Sequence, residues 1–204
     1  MNLIYNQFKE KVLKALELHL PYVGRLEQDA DQSSPASVLI LFALNQKDQL
    51  HLLFIKRADH IAVHQGQMAF PGGRVEADDQ GDLITTALRE TREEVGIPPH
   101  CVEVLGGLPD LQTVTHFKIK PIVGILRSHL ESVTLQLDHN ELSEAVWISI
   151  HELLDDLAYR EEILSREGRK YLISIYSVRG YQIWGATGAM TKNILDRYCR
   201  SLSE

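Results

Sequence analysis

Apolar residues recur along this chain with two different periods. Ile4, Phe8, Val12, Ala15 and Leu16 fall at helical spacing and predict an amphipathic helix over residues 3–18. The polar stretch EQDADQSSPAS that follows reads as a loop. Then come two nearly continuous apolar runs, SVLILFAL and LHLLFIKR, joined by NQKDQ, which predict two strands of a hairpin. VEVLGGL, FKIKPIVGILR, EAVWISI and KYLISIYSV predict further strands, HELLDDL a short helix, and residues 189–202 a C-terminal helix. Strands and helices are mixed without regular alternation. The pattern therefore predicts an α/β or α+β layer fold with a mixed sheet rather than a doubly wound parallel one. Residues 1–30 divide off as an N-terminal helix and linker, and residues 31–204 as the main domain.

One helix has unusually clear ends. Asp82 is a natural N-cap, Gly96 sits just past the last turn, and Pro98 and Pro99 forbid continuation, which predicts a helix from Leu83 to Val95. Ile84, Ala87, Leu88, Thr91 and Val95 form one stripe, expected to face the core. Glu90, Glu93 and Glu94 form another, because residues three and four apart are neighbours on a helix surface. Like charges at this spacing cost roughly 0.2–0.5 kcal/mol a pair. Two readings of the face are open. It is either a solvated charged surface, with Arg89 and Glu93 as an i,i+4 pair, or a set of hard oxygen ligands for Mg²⁺ or Mn²⁺.

Charge and composition narrow the function. The formal net charge is −7 and charged residues are 24% of the chain, which argues against broad nucleic-acid binding. An acidic protein that handles a polyanion needs local cations or a divalent metal. Cys101 and Cys199 stand far apart, so neither a disulfide framework nor a zinc knuckle is expected. No window approaches the ~20 apolar residues of a membrane span, and the N-terminus lacks a signal-type apolar core. The expectation is a soluble, cytoplasmic protein with no nucleic acid and no membrane as partner, and with a homodimer left open. Lys56 and Arg57 can meet phosphates, while Trp147 and Trp184 read as core or interface aromatics.

Upstream of the glutamate helix, FPGG (Phe70 to Gly73) ends a strand at a point where the backbone can turn sharply and approach a ligand. Glycine loop, connection and glutamate helix together carry a resemblance. GGRVEADDQGDLITTALRETREEVGI resembles the signature of the Nudix hydrolases, G-x5-E-x7-R-E-U-x-E-E-x-G-U, where U is a bulky apolar residue. Arg89, Glu90, Glu93, Glu94, Gly96 and Ile97 match, and Thr91 takes an apolar position. Fifteen residues separate Gly73 from Arg89 where the pattern has thirteen, and Glu76, Asp79 and Asp82 are each candidates for the earlier glutamate. The resemblance implies a mixed sheet between helices and metal-dependent cleavage of a nucleoside diphosphate linked to another moiety. It implies that Glu90, Glu93 and Glu94 hold Mg²⁺ or Mn²⁺ and that Arg89 orients a glutamate through a salt bridge. The general base is Glu93 or, from a distal loop, Glu144; Glu141 is a close neighbour of the latter.

LLFIKRADHIAVHQGQMAFPGG is similar to a motif of the coenzyme A pyrophosphatase branch, L-L-T-x-R-[SA]-x3-R-x3-G-x3-F-P-G-G. Leu52, Leu53, Arg57, Ala58, Gly66 and Phe70 to Gly73 keep its register, whereas Phe54 and Ala62 replace the threonine and the second arginine. The resemblance continues to about residue 198. It implies that Arg57, Gly66, Gly72 and Gly73 contact substrate and that the substrate is coenzyme A or a derivative. Another nucleoside diphosphate derivative, or nucleotide sensing without turnover, are the competing expectations.

Overall fold

The computed structural model describes residues 6, 9, 10, 13, 35–61, 65–112, 118–166 and 168–202. Strand β1 (Pro35–Leu44) is its centre. Six consecutive residues from Leu39 to Leu44 are buried, as expected of a strand covered on both faces. β1 pairs antiparallel with β2 (Leu50–Arg57) on one edge and parallel with β7 (Lys118–Leu126) on the other. β5 (Val102–Gly107) and β6 (Leu111–Gln112) extend the sheet beyond β7, and β8 (Leu142–Ser149) lies along β2. The sheet is therefore mixed, as the element order predicts.

β1 and β2 pair only where the last residues of β1 meet the first of β2, and then part. Into the gap come β3 (Met68–Ala69), paired with the end of β2, and β4 (Gly72–Arg74), paired with the start of β1. Phe70 and Pro71 link them, with the Pro71 carbonyl accepting the Leu39 N–H at 2.7 Å. The glycine loop is thus woven into the sheet.

Alternation along β1 and β2 makes two cores. Leu39, Leu41, Leu53 and Ile55 face helix α1 (Leu83–Val95), which contributes Ala87 and Val95. Ile40, Phe42, Leu52 and Phe54 face the opposite layer, where α3 (Gly185–Leu202) adds Met190, Ile194 and Leu195. That layer also holds a second, three-stranded antiparallel sheet of β9 (Tyr159–Arg166), β10 (Arg169–Val178) and β11 (Tyr181–Ile183). The expected mixed sheet between helices is present.

Several expectations are corrected. HELLDDL supplies only a one-turn helix, α2 (Ile150–Leu153), because its chain turns away after Leu153. α3 begins at Gly185 rather than near Ala189, since Gly188 is a packing residue: a Cβ there would lie 2.3 Å from the Ser174 carbonyl oxygen of β10. β9 and β11 are additional. Of the helix expected over residues 3–18, only Asn6, Lys9, Glu10 and Leu13 lie within the described residues; they are helical, Lys9 pairs with Glu103, and Leu13 packs on the core. Ala62 lies outside the described residues.

Candidate active site

Helix α1 starts and stops where its sequence signals fall. The Asp82 carboxylate accepts the Ile84 N–H at 3.1 Å, and Gly96 adopts the left-handed conformation, φ 75°, that ends the helix. The acidic stripe does not lie in one plane of exposure, however. Glu93 is half-exposed, the Glu90 side chain is 16% exposed, and Glu94 is buried at 3%. Glu94 points inward beside Thr91, whose buried hydroxyl is satisfied by the Ala87 carbonyl at 2.7 Å. A polar residue can therefore occupy that apolar position of the signature.

The glycine loop closes against these carboxylates. Gly72 donates its backbone N–H to Glu94 Oε2 at 2.9 Å, and a Cβ on Gly72 would lie 2.3 Å from the Ser37 carbonyl oxygen. A Cβ on Gly73 would lie 2.3 Å from Glu90 Oε1, the end of a flexible side chain. Gly73→Ala is expected to displace the Glu90 carboxylate with little loss of fold. Steady-state hydrolysis should fall by at least about tenfold, in line with a 1 Å misplacement at a reacting centre, while the thermal midpoint moves by no more than a few degrees.

Arg89 props the helix from the other side. Its Nε and Nη2 donate to Asp79 Oδ1 and Oδ2 at 2.9 and 3.0 Å, a bidentate pair, and its Nη1 donates to Glu93 at 2.9 Å. Asp79 is buried and also accepts the Glu76 N–H and the Thr86 hydroxyl. Of the three candidates for the earlier glutamate of the signature, Asp79 is the one that Arg89 grips with both nitrogens. The longer connection folds into a 3₁₀ turn over Ala77–Asp79 that brings Asp79 back to Arg89. Asp82 is taken by capping, and the mostly exposed Glu76 stays 3.9 Å from Arg89. The Arg89 hydrogen bonds hold the Asp79 carboxyl down at about 2.

The carboxylates near the loop are shifted the other way. Burial, reinforced by the charges of Glu90 and Glu141, pushes Glu94 up to about 8 against the opposing Gly72 N–H and Arg57. Burial likewise raises Glu90, although Arg89 beside it opposes the shift. A buried carboxylate crowded by like charge is suited to a cation, which would be its counter-charge. Among the described residues no three Asp, Glu, His or Cys side chains converge as a complete cage.

Other expected site residues divide into two groups. Arg57 ends β2 near Glu94, whose charge it offsets; its Nε is buried and has no hydrogen-bond partner among the described residues. Gly66 and Glu144 stand elsewhere, lining a cleft of about 560 Å³ with Lys56, residues 65–68, residues 179–182 and Trp184. None of Glu90, Glu93 and Glu94 lines that cleft. Glu144 is on strand β8 opposite Lys56, not on a loop. It accepts from Lys56 Nζ at 3.1 Å and from the Tyr181 hydroxyl at 2.6 Å. The neighbour that reaches the carboxylates is Glu141. Its turn is tied to α1 and β2 by Asp138 N–H to the Glu94 carbonyl at 3.0 Å and Ala58 N–H to the Glu141 carbonyl at 2.8 Å. Sequence distance could not separate these two glutamates, since only the start of β8 decides which one stays outside the sheet.

The glycine loop is thus sealed against the glutamate helix at the split of the mixed sheet. The family model described as NUDIX domain matches residues 33–167, and the chain belongs to this family. It is a hydrolase that acts on pyrophosphate bonds, and hydrolases of this family generally use divalent metal ions. Two relatives bear the description "Uncharacterized Nudix hydrolase NudL". The one from Enterobacter sp. (strain 638) is 35% identical over 83% of this chain and 85% of its own length. That from Yersinia pestis (strain Pestoides F) is 31% identical over 94% and 96%. Two solved structures share the fold. The Caenorhabditis elegans Ap4A hydrolase binary complex has a TM-score of 0.52 at 15% identity, covering 83% of this chain and 98% of that one. The MutT protein from Methanosarcina mazei Go1 has a TM-score of 0.52 at 18% identity, covering 84% and 96%. Among the described residues no helix is long and apolar enough to cross a membrane.

Proposed function

We propose that residues 31–204 form a hydrolase domain that cleaves the pyrophosphate of coenzyme A or a derivative into 3′,5′-adenosine diphosphate and 4′-phosphopantetheine, using Mg²⁺ or Mn²⁺. The observation that carries this reading is Arg57. It matches the arginine of the coenzyme A branch motif, it lies near Glu94, and its buried Nε has no partner among the described residues, a place that a phosphate oxygen could fill. Glu90 and Glu94, whose carboxylates lie against the glycine loop, would hold the cation together with waters and phosphate oxygens, while Glu93, the third candidate ligand of the stripe, stays on Arg89. A divalent ion there supplies charge neutralisation of the diphosphate, polarisation of phosphorus and a lowered pKa for water. Arg57 binds a phosphate oxygen, and the Gly72 and Gly73 backbone lets the diphosphate approach the helix. Arg89 keeps the Glu93 carboxylate in place. Glu93 takes the proton of the attacking water, with Glu141 the alternative on the same side and Glu144, at the cleft, the more remote one.

The test is hydrolysis of coenzyme A, dephospho-coenzyme A, ADP-ribose, NADH and diadenosine polyphosphates with each metal and with chelator. Preference for coenzyme A over its dephospho form is expected, with another cation doing the work of the arginine replaced by Ala62. Better turnover of another diphosphate would mean that Ala62 marks a change of substrate, and no turnover of any would favour nucleotide sensing.

A further inference from the structure

The cleft at Glu144 is lined by none of Glu90, Glu93 and Glu94, yet it has room for a ligand. Its volume of about 560 Å³ is in the range of small-molecule sites, roughly 300–1,000 Å³. Its cations are already matched. Lys56 pairs with Glu144, and Arg179 makes a bidentate pair with Glu152, 2.6 Å at each oxygen. A free anion therefore gains little there. What the cleft does offer is an aromatic side chain among mostly polar groups with fixed hydrogen bonds. Trp184, read from sequence as a core or interface aromatic, is 39% exposed and lines the cleft together with Gln65, Gln67 and Gln182. Aromatic faces of this kind stack nucleobases.

Glu144 sets the polarity of that surface. Its two oxygens each accept one bond, from Lys56 and Tyr181, which leaves further lone pairs on a carboxylate that can only accept. The Tyr181 hydroxyl and Lys56 hold the carboxyl below its usual range, so it is ionised at neutral pH. A base with an exocyclic amine meets this group with a donor, whereas a base with a carbonyl at the same place meets it with a second acceptor. The cleft also adjoins the carboxylate site. Lys56 lines the cleft, the next residue Arg57 lies by Glu94, and Gly66 N–H and the Gln67 carbonyl bond the Arg57 backbone, both at 3.1 Å.

We propose that this cleft is the base pocket of the enzyme: it takes an amino-bearing purine stacked at Trp184 with its amine on Glu144, while the attached diphosphate passes the end of β2 to Arg57. The proposal rests on the substrate reading above only for its link to catalysis, and binding of free nucleosides tests it alone. Calorimetric titration of the full chain with adenosine and inosine should show adenosine bound more tightly by at least about tenfold, as expected for a hydrogen bond to a charged group. Glu144→Gln should narrow that ratio, because an amide can present either a donor or an acceptor. Trp184→Ala, with folding checked by its thermal midpoint, should weaken both nucleosides. Equal affinity for the two, binding of neither, or a Trp184→Ala variant that binds like the parent would overturn the proposal. Discrimination without coenzyme A hydrolysis would keep the pocket and retire the substrate. Hydrolysis without discrimination would do the reverse.

Discussion

Glu94→Gln is expected to cost about 1,000-fold in metal-dependent kcat, because charge stabilisation by a held cation is worth several kcal/mol. The fold should survive. The amide keeps an oxygen for the Gly72 N–H, and it removes a charge that burial disfavours. Stability without metal supplies a second readout. A carboxyl raised from 4.5 to about 8 binds its proton more tightly in the folded chain than in the unfolded one. Its contribution to stability is thus complete below about 4.5 and is lost as the pH rises through about 8. Urea titrations in chelator should show the parent weakening across that window and Glu94→Gln changing less. A variant that hydrolyses substrate at the parent rate would remove Glu94 from the cation site.

Asp79→Ala should destabilise the chain by about 3 kcal/mol, the lower end of what breaking one side of a buried ion pair costs. The Arg89 side chain is only 13% exposed, and it keeps Glu93 and the Arg74 carbonyl as partners, which softens the loss. Activity should fall with it, since Arg89 positions Glu93. The pH dependence runs opposite to that of Glu94. With its carboxyl held near 2 instead of 3.8, Asp79 stabilises fully above about 3.8 and loses that contribution as the pH falls through about 2. Equal urea midpoints for parent and variant at neutral pH would show that Arg89 does not depend on Asp79.

What could be read from the chain, and what could not, follows from the range of the forces involved. The ends of α1 were legible because Asp82, Gly96 and the prolines act within one turn. β1 and β2 were legible because their burial on both faces leaves an almost unbroken apolar run. β9 was not, because an exposed hairpin strand needs no such run: Ile163 is 66% exposed and its neighbours Glu161 and Glu162 face solvent. The start of α3 was hidden by two glycines: Gly185 takes a left-handed φ of 64°, and Gly188 packs against the Ser174 carbonyl of β10. In the site, helical spacing gathered Glu90, Glu93 and Glu94 but could not say that Glu94 turns inward. Nor could spacing choose among Glu76, Asp79 and Asp82, since the choice depends on how two extra residues fold.

The parallel ladder of β1 with β7 joins Pro35 to Lys118 and Phe42 to Ile125, so the whole of α1 lies inside the segment that this pairing closes. Contacts between such distant stretches demand loop closure before they return any stabilisation. Ala87 and Val95 of α1 pack with Ile122 and Leu126 of β7. During folding, then, the glutamate helix can wind early from its own caps, but its seat is finished only when β7 arrives, and the hydrolase gains its site at the same step that closes its central sheet.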